Sequence, residues 1–257
     1  MMILRLANLS MIILMVLVVF VGCDRAQRMV TGGMPVDPTM DEGMTETQPG
    51  IPVKLVLLID YPEGGKDAYI AWVASIASIL QAPEELVGIK SYDNVEADMS
   101  PNRLVEFEFN SFLDLATYFN RPEIAAIFEE LPNHSSSVTV HTFIQRSDYA
   151  KGEKGPWNIK VISLIDYPLG GKQVYLKWVT SISPTLTGQP QLKAMAAYDN
   201  YYGESPHRLV QLEFASQKDA DAYEQLEEIQ VIEDELDNRT GSYELHTFEL
   251  RSDYTNE

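Results

Sequence analysis

The chain has 257 residues, of which 45% are hydrophobic and 22% charged, and this balance excludes a disordered or collagen-like protein. Its 38 acidic and 19 basic residues give a net charge of −19, which argues against nucleic acid as a partner. The single cysteine excludes an internal disulfide and a zinc site built from cysteines.

Residues 1–22 have the features of an export signal. One charged residue, Arg5, precedes an apolar run of about 11 residues, which is too short to span a membrane but is typical of a signal peptide. The segment Phe20-Val-Gly-Cys23 that follows resembles the lipobox of bacterial lipoproteins. The resemblance implies that Cys23 carries a lipid and anchors the folded part to a bacterial membrane, in the cell envelope and outside the cytoplasm. A cysteine that merely ends an ordinary signal peptide or an uncleaved anchor is the alternative.

Two long segments of the chain are copies of one unit. Leu-Ile-Asp-Tyr-Pro at 58–62 recurs at 164–168, and His-Thr-Phe at 141–143 recurs at 246–248. Gly-Gly-Lys, Tyr-Asp-Asn and Arg-Leu-Val also occur in both segments, in the same order. Matches of this kind at a nearly fixed spacing indicate that the two segments share a fold.

The sequence therefore predicts four parts after the signal peptide. Residues 23–52 are rich in Met, Pro, Gly and acidic residues without apolar periodicity, which predicts a flexible tether. The first repeat covers 53–150 and the second covers 160–257. Between them, 151–159 contains Gly and Pro and is predicted to be a linker.

The hydrophobic pattern predicts six elements in the first repeat. Apolar runs bounded by Gly and Pro predict strands, and apolar residues at helical spacing from Tyr69 to Leu80 predict a helix. The predicted elements are a strand at 54–61, a helix at 66–82, strands at 86–94 and 103–109, a helix at 111–131 and a strand at 137–147. This βαββαβ order is that of the ferredoxin-like fold, a four-stranded antiparallel sheet with both helices on one face.

The other face of such a sheet needs a cover, because the strand at 137–147 has apolar residues on both sides. The element order, and the segment Arg103–Phe109 before a helix containing Phe, Asp and Tyr, resemble the dimeric α/β-barrel superfamily. Antibiotic-biosynthesis monooxygenases, NIPSNAP-like proteins and EthD-like proteins are similar at this level. The resemblance implies an α+β fold in which the two repeats pack sheet against sheet, as an intramolecular pseudo-dimer.

Six charged residues are candidates for ligand binding. The Gly-rich turn before Lys66, next to Asp60, can present backbone N–H groups and an amine to an anion, and a simple helix-opening turn is the alternative. Arg146 can bind a carboxylate, or it can pair with Asp148 or Glu108. The second repeat supplies the equivalent candidates Asp166, Lys172 and Arg251.

Three polar residues of each repeat are candidates for catalysis. His141 can act as a base, and Tyr92 and Asn94 follow one another at the end of a strand, where Asx-turn chemistry is the alternative. The matching residues are His246, Tyr198 and Asn200. Glu108 and Glu213 are expected to face the interior between the sheets, where a buried polar network is an alternative role for the histidines. Trp72 and Trp178 are expected to pack in the core.

Two functions follow as hypotheses. The first is a non-enzymatic, lipid-anchored binding or interaction module with a small-molecule or protein partner. The second, implied by the resemblance, is a cofactor-independent monooxygenase that oxidises a small aromatic compound in a cleft between sheet and helices. Haem is not expected, because the haem-degrading relatives use a tryptophan that the second helix lacks, and no paired histidine spacing indicates a metal. Because both repeats keep these polar residues, either both clefts or neither are expected to work.

Overall fold

The computed structural model describes residues 50–152 and 155–254, without the side chains of 147–150. The predicted signal peptide, the predicted lipidation site Cys23 and the tether up to residue 49 lie outside the described residues. The strands are β1 (Val53–Asp60), β2 (Leu86–Asn94), β3 (Arg103–Phe109), β4 (Ser137–Gly152), β5 (Ile159–Asp166), β6 (Leu192–Asn200), β7 (Arg208–Phe214) and β8 (Ser242–Arg251). The helices are α1 (Gly65–Gln81), α2 (Phe112–Phe119), α3 (Pro122–Glu130), α4 (Gly171–Gly188), α5 (Gln217–Glu224) and α6 (Glu227–Arg239). No helix in this described part is long and apolar enough to cross a membrane.

All eight strands form one closed antiparallel barrel in the order β1-β3-β2-β8-β5-β7-β6-β4. The last strand of each half pairs with the second strand of the other half. Leu250 of β8 lies opposite Tyr92 of β2, and Gln145 of β4 lies opposite Tyr198 of β6. We refer to these two junctions as the seams. The predicted α+β architecture of the dimeric α/β-barrel kind is confirmed at the level of this barrel and its six helices.

Strand β3 shows how the sequence pattern sets up the layers of the molecule. Val105 and Phe107 face the helices of the first half and belong to the core between helices and sheet. The alternate residues Leu104 and Glu106 are buried in the barrel interior. Because successive side chains of a strand point to opposite faces, each strand serves one helix-facing core and the shared interior. Residues 50–152 and 155–254 therefore form three cores, one per half and one inside the barrel.

The helix predicted at 111–131 is two helices, α2 and α3, so that prediction was wrong. Arg121 is extended, with φ −70° and ψ 126°, just before Pro122, which disfavours helical geometry in the residue preceding it. Leu226 of the second half has nearly the same angles, φ −69° and ψ 129°, and no proline follows it. The break therefore belongs to the fold, and helical spacing on both sides of it hides it in the sequence.

Strand β4 is longer than predicted. It continues to Gly152, past a β-bulge between Arg146 and Ala150, and pairs with β6 along its added length. It thus enters the segment 151–159 that the sequence predicts as a linker. Strand β8 of the second half ends at Arg251, so the seam between β4 and β6 is the longer one.

Candidate functional site

A buried ionic network occupies the barrel interior, and the sequence analysis missed it. The carboxylate of Glu106 accepts hydrogen bonds from the ammonium of Lys160 and the amide of Gln211. Lys54 donates to Gln211 at 2.9 Å and lies 3.3 Å from Glu106. Burial raises the pKa of Glu106, but the two lysines and the hydrogen bonds outweigh it and hold that pKa at about 2. The signal in the sequence is one lysine at the second position of the first strand of each half, among mainly apolar residues.

The network joins the two halves, and its groups are committed to each other. Glu106 stands at the position that Gln211 occupies in the second half, so one carboxylate serves the lysines of both halves. Glu108 and Glu213, which were predicted to face the interior, pair with Lys54 and Lys160 at 3.3 and 3.2 Å. Arg146, which the sequence offered as a partner for Glu108, pairs with Asp199.

The candidate tyrosines Tyr92 and Tyr198 are buried beside this network. The ammonium of Lys160 lies 4.3 Å from the ring centre of Tyr92, and that of Lys54 lies 4.8 Å from the ring centre of Tyr198. Burial raises the pKa of Tyr92 to about 12, so its hydroxyl stays protonated at neutral pH. The rings of Tyr92 and Tyr198 therefore pack against the two lysines of the network.

Each of the two seams has an ionic cluster of its own, built around one aspartate. Asp93 accepts from Tyr61 at 2.7 Å and from Arg103 at 2.8 Å, and it also binds Lys66. Arg251, which comes from the other half, lies 3.2 Å from the same carboxylate. Burial raises the pKa of Asp93, but Lys66, Tyr61 and Arg103 outweigh it and hold that pKa below its usual value.

The other seam has the same arrangement around Asp199. Its partners are Tyr167 at 2.9 Å, Arg208 at 3.1 Å, Arg146 at 3.2 Å and Lys172. Four ligand-binding candidates, Lys66, Lys172, Arg146 and Arg251, are therefore engaged by aspartates. The structure pairs Lys66 with Asp93 and does not form the predicted anion site with Asp60. Gly65 has φ +74°, which favours glycine, so the Gly-Gly turn is accounted for by its backbone.

The remaining candidates with acid or imidazole groups meet at one end of the barrel. A polar cavity of about 520 Å³, here called the mouth cavity, is lined by Asp60, Asp166, His141 and His246. Asp60 accepts from Ser100 at 2.9 Å and Ser137 at 2.6 Å, and Asp166 is held by the equivalent serines Ser205 and Ser242.

The histidines of the mouth cavity are weakly engaged. Burial lowers the pKa of His141, which favours its neutral form. The buried Nε2 of His246 lies 3.6 Å from a Glu244 oxygen, too far for a hydrogen bond. Among residues 50–152 and 155–254, no group of three or more His, Cys, Asp or Glu residues is placed to hold a metal.

The asparagine candidates do not join the histidines or the tyrosines. Asn94 donates to the carbonyl of Pro101 at 2.9 Å and accepts from the N–H of Glu96 at 2.9 Å. Asn200 makes the equivalent pair of bonds in the other half. Both amides are used within their own loops, as in an Asx turn. The predicted set of His, Tyr and Asn is thus divided among the mouth cavity, the barrel interior and a loop.

A separate cavity lies between the helices and the sheet of the second half, and we call it the second-half cavity. It has a volume of about 180 Å³ and is mainly apolar, whereas the equivalent space in the first half measures about 20 Å³. Its lining includes Trp178, Ile182, Met195, Leu212, Tyr223 and Tyr243. Of these two spaces, only the one in the second half is open.

Four replacements between equivalent positions explain the difference. In the first half, the rings of Phe119 and Phe128 pack 4.7 Å apart, and Phe107 lies 5.8 Å from Phe128. Tyr254 lines the same space. The second half has smaller or polar residues at the matching positions, with Ser163 for Leu57, Leu212 for Phe107, Glu224 for Phe119 and Glu233 for Phe128.

Two carboxyl groups border the second-half cavity. Glu224 is half-buried and Glu233 is exposed. Burial, together with the charge of Asp221, raises the pKa of Glu224. Burial, together with the charges of Glu224 and Asp234, raises the pKa of Glu233. The wall beside them is fixed, since Trp178 donates its indole N–H to Glu235 at 2.8 Å.

Comparison with known proteins identifies relatives by fold. No family model matches the sequence, and no curated protein is significantly similar to it. The barrel is similar to the crystal structures of a candidate monooxygenase from Fusobacterium nucleatum (TM-score 0.61, 8% identity) and of an anthrone oxidase-like protein (TM-score 0.60, 13% identity). It is also similar to a candidate monooxygenase from Lactobacillus acidophilus NCFM (TM-score 0.53, 14% identity). Each match covers 78% of this chain. The matched part is 93% of the F. nucleatum chain, 91% of the anthrone oxidase-like chain and 94% of the L. acidophilus chain. At these identities the likeness establishes the fold.

Proposed function

We propose that the chain binds a small aromatic compound in the second-half cavity and oxidises it with molecular oxygen, without a cofactor. The observation that carries this proposal is the open, mainly apolar space of about 180 Å³ where the first half is filled. An apolar cavity of about 150 Å³ is large enough to bind benzene. The second-half cavity therefore suits a compound built on one aromatic ring.

The structural neighbours support the reaction class. Two are named as candidate monooxygenases and one as anthrone oxidase-like. An electron-rich substrate such as a hydroquinone can reduce oxygen itself. One oxygen atom enters the ring to give a hydroxyquinone, and the other leaves as water with two hydrogens of the substrate. Atoms and electrons balance without an external reductant.

The groups predicted for catalysis do not border this space. Neither His141 nor Tyr92 lines the second-half cavity, so the proposal gives them no catalytic role there. The carboxyl groups that border it are those of Glu224 and Glu233.

We further propose that this activity is displayed outside the cytoplasm, with Cys23 as the lipid anchor and 23–52 as the tether. The support is the lipobox-like segment at 20–23 and the acidic chain, which has little attraction of its own for anionic lipid. Cys23→Ser is expected to shift the protein from the membrane fraction to the soluble envelope fraction and to remove the acyl mass from the mature chain.

The test of the enzyme proposal uses the full chain in detergent. Methylhydroquinone and labelled oxygen are supplied, and oxygen uptake and label in the quinone product are measured. Leu212→Phe restores the first-half residue and is expected to lower turnover at least about tenfold by filling the cavity. Leu169→Phe adds the same bulk at a fully exposed position and serves as the matched control. Binding without turnover would leave a binding module, and equal turnover in both variants would contradict the site.

A further inference from the structure

We infer that the second-half cavity selects aromatic ligands that carry a positively charged amine, which Glu224 and Glu233 bind at the rim. This inference rests on the proposed function, since it names the ligand class of the same cavity. The ring would enter the apolar space, and the ammonium group would remain between the two carboxylates.

The position of the two glutamates is the first support. They stand where Phe119 and Phe128 close the first-half space, and both line the open one. Replacing a packed aromatic pair by two carboxylates opens the cavity and gives its rim a double negative charge. Neutral polar residues would be enough to open the cavity to solvent, so two negative charges at its rim call for a further reason.

The absence of a partner for these charges is the second support. Within residues 50–152 and 155–254, neither Glu224 nor Glu233 forms an ion pair with a lysine, arginine or histidine. The carboxylates of Asp93, Asp199 and Glu106, by contrast, are each met by at least two cations. Since two like charges close together repel each other, a cation placed between them is attracted by both.

The raised pKa values of both groups agree with this arrangement. The negative charge of Glu224 contributes to the shift of Glu233, so the two carboxyl groups are close enough to interact. A bound ammonium group would lower both pKa values again and release protons, whereas a neutral ligand would not. Proton release on binding at acidic pH, where carboxyl groups hold part of their protons, is therefore a second readout, measured as the dependence of binding enthalpy on the buffer.

The experiment compares tyramine with 4-ethylphenol, which lacks the amine. Dissociation constants are measured by calorimetry at pH 7.5 on the full chain in detergent. We expect tyramine to bind at least about tenfold more tightly, with a preference that falls as salt is added. In the double variant Glu224→Gln and Glu233→Gln the ratio should fall to about one, because the shape stays and the charge is lost.

A matched control removes two charges elsewhere. Glu129→Gln and Glu130→Gln change exposed residues at the end of α3 in the first half, and should leave the preference intact. A preference for tyramine that survives in the Glu224/Glu233 double variant would overturn the inference. Equal affinity of the unchanged protein for both compounds would overturn it too and leave the proposed function standing, whereas no binding of either compound would overturn both.

Discussion

The two halves of the barrel have the same order of elements, yet their helix-facing interiors differ. Each half contributes one lysine to the barrel centre and one aspartate cluster to a seam. The space between helices and sheet is filled by aromatic rings in the first half and open in the second. The residues kept in both halves are thus those that hold the halves together, while the residues that differ decide which half can take a ligand.

This comparison changes which residues are taken as evidence for function. Asp93, Lys66 and Arg251 and their counterparts make the same ion pairs at both seams. A site for a ligand does not have to obey that symmetry. Differences between the copies, such as Glu224 against Phe119, are therefore more informative about function than identities.

The largest expected effect is at Glu106, which has Gln211 at the equivalent position of the second half. Glu106→Gln leaves the buried Lys54 and Lys160 without their shared carboxylate, and we expect a loss of about 3–5 kcal/mol in the free energy of unfolding, measured with urea. Glu108→Gln is the control, because its side chain is 34% exposed and its pair with Lys54 should contribute less than about 1 kcal/mol. A cost of less than about 1 kcal/mol for both would show that the two lysines do not depend on Glu106.

The next effect tests the packing difference directly. Phe107→Ala removes a fully buried ring from the filled half and should cost about 3–5 kcal/mol, through lost burial and a new cavity. Leu212→Ala, at the equivalent position, enlarges a space that is already open and should cost about 2 kcal/mol. The check is thermal and urea unfolding of both variants. Equal losses would mean that the two interiors are packed alike.

The sequence predicted the strands better than the helices and the site. The bounds of β2 and β3 agree with the structure to the residue, because the alternation in Arg103–Phe109 has only one sensible register. The break in the helical segment at Arg121 and at Leu226 could not be predicted from the sequence, since apolar residues have helical spacing on both sides of it. The second-half cavity depends on side-chain volumes at positions brought together only by folding, although comparing Phe119 and Phe128 with Glu224 and Glu233 across the repeats gives a signal.

The pH dependence of stability should have opposite signs at the barrel centre and at the cavity rim. Glu106 has a folded pKa of about 2 against an ordinary value of 4.5, so its contribution is complete above about pH 5 and lost as the pH falls towards 2. Glu224 and Glu233 have raised folded pKa values, so they favour the folded state at low pH and destabilise it as the pH rises through those values.

Unfolding measured from pH 3 to 8 separates these two contributions. The double variant Glu224→Gln and Glu233→Gln should be more stable than the natural chain at pH 7 by a few tenths of a kcal/mol, because solvent screens the rim. It should lose that advantage below about pH 4, where the carboxyl groups are protonated. An advantage that is the same at every pH would assign the effect to packing and contradict the charge repulsion between the two glutamates.

The smallest expected effect concerns the seams, where the halves are alike. Arg251→Ala and Arg146→Ala each remove a half-exposed arginine from an aspartate that keeps a lysine, a buried arginine and a tyrosine. Each substitution should therefore cost less than about 1 kcal/mol. The seam between β4 and β6 is longer, so Arg146→Ala should cost no more than Arg251→Ala, because more backbone pairing remains to hold that side. A larger loss for Arg146→Ala in urea unfolding would mean that the ion pair, and not the length of strand pairing, decides the strength of a seam.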